Sequence, residues 1–239
     1  MNTKQTILLL CFFILSLGML NAQKQNADIR ILYFNDAHEL NPVKTEVGNI
    51  GGVSRMKTVI DEVKKQSPDA IVIFGGDLGG GTLGGKLFRG SVMVESFNAF
   101  PVDYANFGQH EFDYGLGNAI NLVEKSQFKW FTSNIVQQNG NSIPKTFPYI
   151  IHKKNGKTIG IIGITDKIST TKPSAGVKQL DLIESAKTAI KALGKVDVLV
   201  AVTQMAMPLN QELIDACPEI NLVLSEETSQ YKTQVDYYK

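Results

Sequence analysis

Three short clusters in this chain could carry chemistry. Asp36-Ala37-His38 puts a carboxylate and an imidazole two residues apart. In extended backbone such residues point to one side, so both could reach a single metal ion. Gly76-Asp77 adds a second carboxylate behind a flexible residue. The stretch Phe107-Gly108-Gln109-His110-Glu111-Phe112-Asp113-Tyr114-Gly115 packs an amide, an imidazole and two carboxylates into nine residues. His110 and Asp113 are three apart, a spacing at which a carboxylate can fix an imidazole's tautomer. Alone, each cluster also suits a bland reading: an Asx-type turn with an exposed histidine, or a hydrogen-bonded pair at a helix start.

The elements around these clusters give them weight. Short β-branched runs alternate with helical stretches from residue 29 onward, the pattern of α/β architecture. Strands are expected over 29–34, 70–74, 103–106, 129–131, 196–202 and 220–224, with a hairpin of 149–152 and 157–164 around Asn155-Gly156. Helices are expected over 53–66, 92–100, 116–126, 180–193 and 208–216. Gly194 suits a helix C-terminus and Pro208 a first helical turn. Most of the strands end in polar residues, and in open α/β sheets ligands bind beyond the strands' carboxyl ends. The glycine-rich segment 79–85 reads as a loop. It is not a nucleotide phosphate loop, because Gly84-Gly85-Lys86-Leu87 lacks the hydroxyl residue after the lysine. No Gly-x-Gly-x-x-Gly follows the first strand, which removes the nicotinamide dehydrogenases.

Composition narrows the classes further. With 24 basic and 23 acidic side chains the formal net charge is +1, so nucleic acid is not an expected partner. Residues 1–22 read as a signal peptide: Lys4 precedes an apolar run of about 14 residues, and Ala22 offers a cleavage point. That run is short for a membrane span, and no other follows it. The expected product is an exported domain of residues 23–239, periplasmic or extracellular, with Cys217 its single thiol and no internal disulfide.

In combination, Asp36-x-His38, Gly76-Asp77 and Gly108-Gln109-His110-Glu111-Phe112-Asp113 resemble the calcineurin-like metallophosphoesterases. Within them the chain looks most like the N-terminal domain of secreted 5′-nucleotidases and UDP-sugar hydrolases. Asn35, 51–55, Tyr114-Gly115, Ser133-Asn134 and the 160–164 strand support the likeness. The resemblance implies an α/β fold, a two-sheet αββα sandwich. It also implies two divalent metals that activate a water to attack a phosphomonoester or nucleotide phosphate. Carried over by position, Asp36 and His38 belong to the first metal and Asp77 bridges both. Gln109 belongs to the second, and His110, oriented by Asp113, is the catalytic histidine.

The chain departs from that family in its donors. Gln109 stands where the family has asparagine, and Gln204, Glu227 and Ser229 fall where it has histidines. Two explanations stand. Simultaneous changes at one centre point to a degenerate site that binds a phosphate ligand or a partner without turnover. Alternatively the site is rewritten in oxygen, which suits manganese, magnesium or calcium better than zinc at the second position. The family's nucleoside-binding C-terminal domain is missing as well. The chain reads as a domain short at its C-terminal end: either it is a fragment, or that second domain is a separate polypeptide.

Overall fold

The computed structural model describes residues 29–226 apart from 47, 81, 155, 167 and 169–175. The expected signal peptide, Glu227 and Ser229 lie outside the described residues. Two four-stranded sheets form the centre. The first has the order β1-β4-β5-β6, from β1 (Ile31–Phe34), β4 (Ile71–Phe74), β5 (Tyr104–Asn106) and β6 (Lys129–Phe131), all parallel. The second has the order β12-β11-β9-β8, from β8 (Ile150–Lys154), β9 (Lys157–Thr165), β11 (Val198–Gln204) and β12 (Leu222–Glu226). Only β8 runs antiparallel there, as the partner of β9 in the expected hairpin.

Side-chain alternation along the strands dictates the layering. Ile71 and Ile73 meet Ile159, Ile161, Val200 and Val202 between the two sheets. Their neighbours Val72 and Phe74 face α1 (Val53–Gln66), α3 (Ser91–Asn98) and α4 (Gly115–Lys125) through Ile60, Val94, Phe97 and Leu122. On the far side Ile162, Ile164, Leu199 and Ala201 pack on α5 (Leu182–Leu193) and α6 (Met207–Ala216). The result is helices, sheet, sheet, helices: the expected αββα sandwich. Each fully buried large side chain in these layers contributes about 1.5–3 kcal/mol.

Local chemistry sets the helix ends. Asp181 caps α5 by accepting from the Glu184 N–H at 2.9 Å, and Gly194 closes it with φ 68°. Pro208 sits in the first turn of α6. One segment departs from expectation. The glycine-rich stretch contains a short helix, α2 (Leu83–Phe88), because the Thr82 hydroxyl caps it by accepting from Gly85 N–H at 3.0 Å. Two further pairs, β2 (Val43–Thr45) with β3 (Gly48–Ile50) and β7 (Ile135–Gln137) with β10 (Val177–Gln179), are three residues per strand and carry no periodic signal.

Candidate active site

Six strand ends meet at one cavity of about 150 Å³. It is lined by Asp36, Asp77, Gln109, His110, Asp166, Gln204 and Glu226. The first follows β1, the second β4, the next two β5, and the last three sit at the ends of β9, β11 and β12. The parallel strands all point their carboxyl ends the same way, so the sheet order itself brings residues 190 positions apart in sequence together.

The stretch after β5 is held by its apolar and acidic members. Phe107 and Phe112 stack at 5.4 Å, and Phe107 lies 4.6 Å from Trp130. Glu111 is fully buried and accepts three backbone N–H groups, from Gly108 at 2.6 Å, Leu78 at 2.7 Å and Asp77 at 3.1 Å. One carboxylate thereby ties the β4 turn to the β5 turn. Those turns interlock so closely that a Cβ on Gly76 would stand 2.4 Å from Gly108 N. Burial pushes the Glu111 carboxyl up, and its three donors pull it back.

Asp77 is 4% exposed and accepts from the His110 N–H at 2.8 Å. Burial, then the neighbouring Glu111 charge, holds its carboxyl well above the usual carboxylate range. Asp36 and Asp77 both adopt left-handed backbone, φ 51° and 65°. Few residues with a Cβ sit there, and such strain collects at functional sites. His110 Nδ1 lies 2.8 Å from Asp113 Oδ2, which leaves Nε2 for a substrate. His38 is edge-on to His110, with ring centroids 5.7 Å apart. Its Nδ1 accepts from Gly80 N–H at 3.2 Å and its Nε2 lies 3.5 Å from Asp36 Oδ1.

Of the residues singled out in the sequence, Asp36, Asp77, Gln109, His110 and Gln204 line the cavity. His38 and Asp113 stand behind Asp36 and His110. Asp166 and Glu226 also line it, and sequence reasoning missed both. The polar strand-end rule could have found Asp166, which stands two residues beyond the expected 157–164 strand and directly after β9. Glu226 is the register partner of Gln204 across the β11–β12 ladder. Asp166 is fixed by its own N–H to Gln204 O at 2.8 Å and by Gln179 Nε2 at 3.1 Å. The buried Tyr33 hydroxyl and Gln204 Nε2 have no hydrogen-bond partner among the described residues. Burial, then Glu226, Asp36 and Asp77, keeps the Tyr33 phenol protonated.

Among the described residues, four carboxylates line the cavity and no lysine or arginine does. This donor set fits divalent cations, which are held by oxygen ligands. Among the described residues, no three His, Cys, Asp or Glu side chains are drawn together as a ready cage.

No family model matches the chain. Curated proteins do: the NAD 5′-nucleotidase of Haemophilus influenzae is 26% identical over 84% of this chain and 36% of its own length. Its solved structure superposes with a TM-score of 0.73, covering 84% of this chain and 38% of that one. The 5′-nucleotidase precursor of Thermus thermophilus gives 0.74 at 23% identity, over 83% and 41%. The calcineurin-like phosphoesterase YfkN of Bacillus subtilis gives 0.65 at 23% identity, over 82% and 71%. The chain spans about two fifths of the length of these curated relatives. It is a homologue of the 5′-nucleotidases and carries the calcineurin-like phosphoesterase fold.

Proposed function

We propose that this domain is an exported, divalent-metal-dependent phosphoesterase acting on nucleotides or other phosphomonoesters. The observation that carries the reading is the six-strand-end cavity, in which four carboxylates face a histidine backed by its own carboxylate. Nucleotide substrates enter from the names of the relatives, which also weigh against a binding-only role. Export rests on residues 1–22, and no helix among the described residues is long and apolar enough to cross a membrane.

Asp36 and Asp77, joined by Gln109 and Gln204, would hold the cations. His38 would join them by exchanging its Gly80 contact for an ion. Bound divalent cations supply positive charge against the phosphoryl oxygens and activate a water. The chain's own groups do the rest. In hydrolysis a water oxygen bonds to phosphorus as the ester P–O bond breaks, and the leaving oxygen needs a proton. His110 gives that proton from Nε2, while Asp113 at Nδ1 fixes the tautomer and stabilises the imidazolium. Glu111 keeps the Asp77 and His110 turns in register.

The test is turnover of AMP, a UDP-sugar and an aryl phosphate with manganese or magnesium. Activity on at least one is expected, and His110→Ala should lower it by about 10²-fold or more. Failure on all three substrates, or an unchanged rate in the variant, would refute the reading.

A further inference from the structure

Gln109 and Gln204 are neutral and hold a dication more weakly than charged ligands do. Two observations point to further donors in the same cavity. Asp166 and Glu226 line the same cavity from the ends of β9 and β12, on either side of Gln204 at the end of β11. Gln204 itself is 94% buried, since its exposure is 6%, and its amide Nε2 has no partner among the described residues. Oxygen and nitrogen of such an amide are assigned from their hydrogen bonds. An amide end that finds no acceptor within hydrogen-bonding distance is equally well assigned as the carbonyl oxygen, which a cation would satisfy. The Tyr33 hydroxyl, within the field of Glu226, is a second buried polar group without a partner there.

We propose that Asp166, Gln204 and Glu226 form an oxygen-only half-site that, with Asp77, holds a second hard divalent cation, magnesium or manganese. Asp166 and Glu226 are thus metal ligands, doing with charge what imidazoles do elsewhere in such cavities. Four carboxylates around the cavity balance two dications in formal charge. Among the described residues no three acidic side chains already converge on one point, so binding an ion would have to draw Asp77, Asp166 and Glu226 inward. Asp166 is preset for this, since its backbone is tied to Gln204 O and its Oδ1 to Gln179. The proposal rests on the phosphoesterase reading of the cavity.

The experiment measures bound manganese directly, by calorimetric titration and elemental analysis of chelator-stripped protein. Wild type, Asp166→Asn and Glu226→Gln are compared, each first checked for a cooperative thermal transition. Wild type should bind two ions per chain. Each variant should bind one, or bind the second at least tenfold more weakly. If one variant fails to fold, the other decides. Two ions with unchanged affinity in a folded variant, or a single ion in wild type, overturns the half-site. Turnover measured in parallel separates the two readings. Two ions without hydrolysis sinks the phosphoesterase reading and leaves the half-site. Hydrolysis with metal binding indifferent to both substitutions does the reverse.

Discussion

Replacing Asp77 by asparagine should make the metal-free protein more stable and its metal response weaker. Asp77 is 4% exposed, with the fully buried Glu111 carboxylate beside it. Burial first, and then Glu111, raises its carboxyl well above the ordinary 3.8. A raised acid means the folded state binds more protons than the unfolded one. Its contribution is therefore most favourable below pH 3.8 and is lost as pH rises toward the folded value. Asparagine removes that penalty. It keeps the side-chain volume, keeps an oxygen for the His110 N–H at 2.8 Å, and tolerates the left-handed φ of 65°. Relieving such a strained functional site typically yields about 1–2 kcal/mol. For a domain of this size each kcal/mol shifts the midpoint by about 2–4 °C. In chelator at about pH 8, thermal unfolding of Asp77→Asn should come about 3–6 °C above wild type, with the gap closing toward about pH 4. Added manganese at about 100 times its dissociation constant stabilises wild type by about 2.7 kcal/mol. The variant should gain much less. An unchanged or lower midpoint in chelator at that alkaline pH would refute the buried-repulsion reasoning. An equal manganese shift would remove Asp77 from the ligand set.

Three further outcomes follow from the geometry. Asn134 is fully buried and pairs with both backbone groups of Thr165, accepting from its N–H at 2.9 Å and donating to its oxygen at 2.7 Å. Asn134→Ala strands both, so denaturant unfolding should show a loss of about 2–4 kcal/mol. Gly80 sits between the two histidines, where a Cβ would stand 2.8 Å from His38 Cε1 and 2.9 Å from His110 Cδ2. Gly80→Ala should cut turnover at least tenfold while moving the thermal midpoint little; a near-normal rate would show that ring placement is not limiting. His152, whose Nδ1 meets the Tyr104 hydroxyl at 2.9 Å, has its basicity lowered chiefly by burial. Its stabilising share is present above pH 6.5 and is lost as pH falls through the lowered folded value. Relative to His152→Gln, wild type should lose stability progressively below pH 6.5, and parallel stability curves would remove His152 from the account.

The architecture was legible where a pattern repeats often enough to be read. Ile71–Phe74 and Val198–Gln204 are apolar on both faces because each is covered by a sheet on one side and helices on the other. Such runs announce themselves. The three-residue pairs β2–β3 and β7–β10 do not, since three residues hold no period. Helix α2 was hidden by its glycines, and only the Thr82 hydroxyl at its start betrays it. The motif residues were found as a set, and the spacing of His110 and Asp113 already paired that carboxylate with the imidazole. The place of Glu111, two residues before Asp113, was not legible. Nothing in the order says that it is fully buried on three backbone N–H groups.

The same limit decided the acidic wall. Glu226 is the last residue of β12, and a strand sends successive side chains to opposite faces. Whether Glu226 turns toward the cavity depends on where β12 pairs with β11, a register fixed by Val223 and Leu224 packing against opposite sides of the sheet. That register puts Glu226 beside Gln204. Asp166 is set by a longer chain of contacts. Asn134 clamps Thr165, Gln204 O receives the Asp166 N–H, and Gln179 steadies its carboxylate. Four segments cooperate to aim one side chain, and no local spacing rule encodes such an arrangement. A donor set judged from motif positions alone therefore counts the imidazoles that are missing. It overlooks the carboxylates that the sheet register brings in from elsewhere.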